Sequence, residues 1–126
     1  MMKTIGERIK NIREELQLTG EEFGNKFNVA KGTVSNWENN NRTPDAQALI
    51  KIADLGDVSL DWLLCRTDIK TAIVVNDKVN GDDIQLEVDK RAYPNGMTHE
   101  EVIKILESYK KLQESGFELI PKDDTK

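Results

Sequence analysis

Between Thr19 and Glu38 the chain runs TGEEFGNKFNVAKGTVSNWE, and its short polar side chains recur there at helical spacing. On a helix from Ala30 to Glu38, Lys31, Gly32, Ser35 and Asn36 fall on the outward face, and Val34 and Trp37 fall inward. An ammonium and a carboxamide on one helical face are hydrogen-bonding groups, not acids, bases or nucleophiles. Such a helix, set behind a tight turn, suits the donor and acceptor edges displayed in the major groove of DNA.

Groups suited to covalent chemistry are sparse. His99 is the only histidine and Cys65 the only cysteine, so no second imidazole or thiol is available for a metal site. Cys65, following Leu63-Leu64, is expected to be a small, partly buried residue. Neither a G-x-x-x-x-G-K-[ST] loop nor a G-x-S-x-G elbow occurs. Ser108 and Ser115 lie near Lys104 and Lys111, but on one exposed helix without the strand framework a Ser/Lys hydrolase needs. Asp82-Asp83 and Glu100-Glu101 sit at a turn and a helix start, where solvation and capping account for them. The expectation is a protein without catalysis, cofactor or metal.

The elements that position the polar face follow from caps and stripes. Thr4 with Glu7 and Thr19 with Glu22 are capping boxes. They open a first helix, to about Leu16 with Ile5, Ile9, Ile12 and Leu16 as its stripe, and a second with Phe23 and Phe27 on one face. Asn28 suits the left-handed conformation that ends a helix. After a polar loop from Asn39 to Thr43, Pro44 is expected at the first position of a fourth helix behind a Thr43 cap. Leu49, Ile50, Ile52 and Ala53 are its core candidates. Ser59 caps a short fifth helix that turns Leu60, Leu63 and Leu64 inward, and Trp37 and Trp62 read as core anchors. Five helices in one small all-α domain result.

This pattern resembles the helix-turn-helix of the Cro and lambdoid-repressor (XRE) family over about residues 3–66. The residues that carry the resemblance are Ser35 to Glu38 (S-x-W-E), the NNNRTP loop after them, and VSLDWLL at Val58 to Leu64. The resemblance implies a DNA-binding regulator, with Lys31, Gly32, Thr33, Ser35 and Asn36 contacting bases. Lys31 would donate to guanine O6 or N7, and Asn36 would pair with adenine. Gly20, Lys26, Asn39, Asn41 and Arg42 would contact phosphates, and Arg13 with Glu38 would form a structural ion pair. Three positions depart from the family: Gly20 replaces the usual glutamine, Gly32 costs helix propensity, and Ala30 replaces a hydroxyl cap.

Composition bounds the partners. The 126 residues carry a net charge of -5, of which residues 1–66 hold -1 and residues 67–126 hold -4. A weakly acidic domain predicts poor non-specific binding to nucleic acid and a need for two half-sites. One cysteine fits a reducing cytoplasm, and the chain has neither a secretory apolar core at its start nor an apolar run of membrane-spanning length.

After Asp68 the character changes. Ala72 to Val79 and the alternating Ile84 to Val88 flank Asn80-Gly81, a strong hairpin signal. That turn sets Ile73 opposite Val88 and Val75 opposite Leu86, an apolar face. A third capping box, Thr98 with Glu101, opens a helix to about Ser115 with Gly116 beyond it and a polar, frayed tail from Lys122. The helix carries Val102, Ile105, Leu106, Tyr109 and Leu112 as a stripe, read as a dimerisation surface because a hairpin and one helix bury little alone. The expected organisation is mainly α: residues 1–67 a five-helix, lambda-repressor-like DNA-binding domain, and residues 68–126 a β-hairpin plus helix for dimerisation or partner binding. The expected function is a repressor of phage or mobile-element type, binding double-stranded DNA as a homodimer. The alternative is a protein-interaction module, such as an antitoxin or the partner of an antirepressor.

Overall fold

In a computed structural model, which describes residues 2–116, side-chain caps mark most helix starts. Thr4 and Glu7 exchange the two bonds of a capping box at the head of α1 (Ile5–Glu15), as do Thr19 and Glu22 at α2 (Gly20–Asn25). Lys3 N–H and the Thr4 hydroxyl also donate to the Glu7 carboxylate and hold its pKa below the ordinary value. Helix α3 (Lys31–Glu38) starts after Ala30, whose side chain offers no capping bond.

Helix α4 (Ala46–Leu55) corrects an expectation. Its N-cap is Asp45, which accepts from Ala48 N–H at 2.9 Å, so Thr43 is not the cap and Pro44 is a buried residue just before the helix. Ser59 caps α5 (Leu60–Leu63) as expected. The core between these helices consists of Ile9, Ile12, Phe23, Val34, Trp37, Ile52, Ala53, Val58, Trp62 and Leu63. Leu16, Ile50 and Leu60, expected inward, are 37%, 46% and 36% exposed. Ile50 and Leu60 instead line a cleft with Ile73 and Pro94. Cys65 is exposed rather than partly buried, in a left-handed residue (φ 66°) just after α5.

Strands β1 (Ala72–Val79) and β2 (Asp82–Asp89) leave only Asn80-Gly81 between them, both with positive φ as a tight hairpin turn requires. Lys90 N–H donates to Thr71 O at 2.8 Å, which fixes the register that sets Ile73 opposite Val88 and Val75 opposite Leu86. The opposite face is also used. Ala72 and Val74 are buried, the Ser59 hydroxyl donates to Ala72 O, Val74 N–H donates to Asp61 Oδ2 at 2.7 Å, and Lys90 Nζ donates to Val58 O at 2.9 Å. The base of the hairpin is therefore stitched to the connection before α5 and to α5 itself. Helix α6 (His99–Glu114) opens with the Thr98–Glu101 box, and Gly116 follows it with φ 97°.

The described residues divide into two compact units, residues 2–75 with 85–96, and residues 76–84 with 97–116. In the second unit the His99 ring nitrogen lies 2.7 Å from Asp77 Oδ2 and lowers that carboxyl's pKa. The architecture is mainly helical, five helices followed by a two-stranded antiparallel hairpin and a sixth helix. Among the described residues no helix is long and apolar enough to cross a membrane. The polar tail expected from Lys122 lies outside the described residues.

Candidate nucleic-acid interface

The turn between α2 and α3 is built by contact distances that admit no side chain. A Cβ on Gly24 would stand 2.6 Å from Val29 O, so the chain entering α3 crosses directly over the α2 backbone. Asn28 takes the left-handed conformation (φ 56°) that turns it there. Behind the turn Phe23 packs on Phe27 with ring centroids 5.0 Å apart, and Phe27 meets the edge of Trp37 at 5.8 Å. This aromatic row, with Val34, holds the inner side of α3.

The outer side is open. Lys31, Gly32 and Ser35 are exposed, and Thr33 and Asn36 are half-buried. A Cβ on Gly32 would meet nothing within 4 Å, so packing within the chain gives no reason for glycine there. Gly20 has a local consequence instead: a Cβ on it would lie 3.4 Å from Lys31 Cγ, so the lysine stem rests against the first residue of α2.

The loop after α3 folds back on the same helix. Asn41 and Arg42 both donate their backbone N–H to Asn36 O, at 2.9 and 3.2 Å, and Asn39 Nδ2 donates to Ser35 Oγ at 3.2 Å. Asn39, Asn41 and Arg42 are all exposed. The expected base-facing and phosphate-facing groups at 31–36 and 39–42 thus form one continuous surface. Lys26, also exposed, is the C-cap of α2, and its carbonyl accepts from Lys51 Nζ.

Arg13 and Glu38 tie α1 to the last residue of α3 in a two-pronged pair, Nε–Oε2 at 2.6 Å and Nη2–Oε1 at 3.1 Å. Their side chains are 18% and 11% exposed. The Glu38 hydrogen bond raises the Arg13 pKa above its ordinary value, and Arg13 Nη1 also donates to Leu18 O. The outer face of α3 is therefore held in angle by an ion pair as well as by apolar packing.

Two supporting residues escape sequence reasoning. Asn40, one of three consecutive asparagines, accepts from Gly6 N–H at 2.9 Å and donates to Thr4 Oγ1 at 3.0 Å, and its φ is 62°. It anchors the loop to the start of α1, and nothing in the sequence separates it from its neighbours. Arg8 is 3% exposed, donates to the carbonyls of Met2, Trp62 and Thr67 and to Asp68, and lies 4.8 Å from the centroid of the Trp62 ring. A lone arginine beside a stripe of isoleucines gives no sign of such burial. Among the described residues no group of three or more His, Cys, Asp or Glu side chains is placed to hold a metal ion.

Val102, expected on the dimerisation surface, is 1% exposed within the chain and cannot also cover a partner. Leu106 and Tyr109 are half-buried, while Ile105 and Leu112 are 42% and 46% exposed.

Comparison with known proteins places this geometry. A family model described as helix-turn-helix matches residues 9–63. The HTH-type transcriptional regulator ImmR of Bacillus subtilis (strain 168) is 33% identical over 66 residues, 52% of this chain and 52% of its own length. From the same organism, the uncharacterized HTH-type transcriptional regulator YqaE is 34% identical over 58 residues, 46% of this chain and 50% of its own. The chain thus matches about half the length of these relatives. The crystal structure of the P22 c2 repressor with synthetic operator 9T in the presence of Tl+ aligns with a TM-score of 0.47 at 27% identity, covering 50% of this chain and 96% of that one. Residues 9–63 thus match the helix-turn-helix family model, and the N-terminal half of the chain is similar to the corresponding part of these HTH-type transcriptional regulators.

Proposed function

We propose that the protein is a sequence-specific DNA-binding transcriptional regulator that represses by occupying an operator as a dimer. The observation that carries this reading is the α3 surface: Lys31, Gly32 and Ser35 face away from the core and run without a break into the exposed loop residues Asn39, Asn41 and Arg42. Helix α3 enters the major groove, where Lys31 donates to guanine and Asn36 pairs with adenine. Thr33 and Ser35 flank them. The backbone N–H of Gly20, with Lys26, Asn39, Asn41 and Arg42, grips phosphates and sets the register. Relatives named as transcriptional regulators agree with this assignment.

A net charge of -5 leaves little general attraction to DNA, so one domain binds weakly. Two copies on half-sites about one helical turn apart, roughly 34 Å, recover affinity through effective concentration. Residues 68–126 then supply the dimer contact, through Ile105, Tyr109 and Leu112. Repression follows from blocking polymerase at a promoter that contains the operator.

The test is selection of bound sequences from a random duplex pool by the full chain at a fixed salt concentration. Enrichment of an inverted repeat is the expected outcome. Absence of any enriched sequence would transfer the function to protein binding, with the exposed face of α6 as its contact.

A further inference from the structure

The loop residue Asn40 sits between exposed Asn39 and Asn41, but its amide is bonded to the start of α1. Its Oδ1 accepts from Gly6 N–H at 2.9 Å, and its Nδ2 donates to Thr4 Oγ1 at 3.0 Å. Gly6 N–H is a helix-start donor that the Thr4–Glu7 box leaves unmatched, so the oxygen of the amide must face it. The Thr4 hydroxyl then has every capacity used. It accepts from Glu7 N–H and from Asn40, and it donates to the Glu7 carboxylate. Gly6 also lets the end of α3 come close, since a Cβ on it would stand 2.6 Å from Trp37 O and 2.5 Å from Glu38 O. A φ of 62° and the bond from Asn40 N–H to Trp37 O at 3.2 Å close the backbone over this contact.

We infer that Asn40 is the positioning residue of the phosphate grip: its side chain is spent on α1, and it holds Asn39, Asn41 and Arg42 in the arrangement that meets the DNA backbone. The inference rests on the reading of that loop as a phosphate contact and adds what aligns it. The bonds of Asn39, Asn41 and Arg42 described above return to α3 itself, whereas those of Asn40 reach α1. A loop fixed only to its own helix is free to pivot against the rest of the domain. A link to α1 removes that motion before DNA is met, so the ordering cost does not fall on binding. Phosphate contacts carry no sequence information, so losing the anchor lowers affinity for every duplex alike and leaves base preference intact.

Binding of the full chain to the duplex enriched in the selection above, and to a scrambled duplex of equal length, tests this across a range of salt. Asn40→Gly removes both side-chain bonds and keeps the left-handed backbone, which glycine adopts without strain. It is expected to weaken binding about fivefold on both duplexes, and to lower the slope of log affinity against log salt by about one. Thr4→Ser keeps the hydroxyl and is expected to bind as wild type does. Thr4→Ala removes one of the two bonds and is expected to give a smaller loss. In the Asn40→Gly background the same change should cost no further affinity. The lost helix cap destabilises the fold in both backgrounds, so urea unfolding separates that effect from binding. Asn40→Gly with wild-type affinity and slope, a loss confined to the enriched duplex, or a Thr4→Ala loss that adds to it in full overturns the positioning role. Arg42→Ala without effect on salt dependence overturns the phosphate reading of the loop, and this inference with it. An effect of Arg42→Ala beside a silent Asn40→Gly strikes the inference alone.

Discussion

Helices α1 and α6 begin with the same device, Thr4 with Glu7 in one and Thr98 with Glu101 in the other. Both continue with apolar residues at helical spacing. In α1 that spacing leads to Ile9 and Ile12, 0% and 2% exposed, in one core with Phe23, Trp37, Ile52 and Leu63 from four later helices. In α6 it leads to Val102 at 1%, but then to Ile105 at 42% and Leu112 at 46%. Caps and stripes specify that a helix forms and which side is apolar. How much of that side is covered depends on how many other elements the chain supplies. The helical unit supplies four partner helices for α1, whereas among the described residues of the second unit the hairpin tip is the one other regular element.

The difference can be broken at the ion pair. Glu38→Ala leaves the Arg13 guanidinium largely buried without its carboxylate and should destabilise the fold by about 3 kcal/mol, read from urea unfolding. Glu101→Ala at the head of α6 removes one arm of a solvent-exposed capping box and should cost about 1 kcal/mol or less. Equal effects would mean that the two units depend alike on local contacts.

On the binding side, Asn36→Ala should cost about 1–3 kcal/mol at one base pair of each half-site and relax selectivity there. Arg42→Ala should weaken binding to all sequences alike and flatten the salt dependence. A uniform loss for both variants, measured on a mutated operator panel, would remove base reading from Asn36.

Gly32→Ala separates stability from recognition. With open space around its Cβ, alanine should add about 1 kcal/mol of stability through helix propensity. If binding falls while stability rises, the glycine serves close approach of the helix backbone to DNA. Unchanged binding would leave it without that role.

The smallest effect concerns acid. Asp89 is held down to about 2 by hydrogen bonds from Arg91, first through its side chain and then its backbone N–H. A carboxyl with a depressed folded pKa contributes stability that is present above its unfolded value, near 4, and is lost as pH falls toward 2. The Asp77 carboxyl, lowered by His99, acts in the same direction. Asp89→Asn should flatten the acid limb of a stability–pH curve between about pH 4 and pH 2 by slightly lowering stability above pH 4 and leaving it unchanged near pH 2. An unaltered acid limb would show that this solvent-facing pair contributes nothing.

Much of this was legible in advance because it is local. Thr4, Thr19, Ser59 and Thr98 cap through bonds to residues three positions on, and Asn80-Gly81 turns within two residues. Where neighbouring residues compete for one role, locality misleads, as at Thr43 and Asp45. The site divides in the same way. The outward placement of Lys31, Gly32 and Ser35 follows from helical period. The loop's attachment through Asn40 to Thr4 and Gly6, across 34 to 36 positions, does not.

By itself the sequence determined the order of helices, the hairpin register and the face of α3 turned outward, since each depends on periodicity or on contacts a few residues apart. Only the tertiary structure decided that Arg8 is buried among carbonyls, that the hairpin base is bonded to α5, and that α6 keeps Val102 while leaving Ile105 and Leu112 open. Those outcomes depend on which distant surfaces meet, and a one-dimensional pattern of apolar and polar residues does not encode the shape of the partner that will cover it.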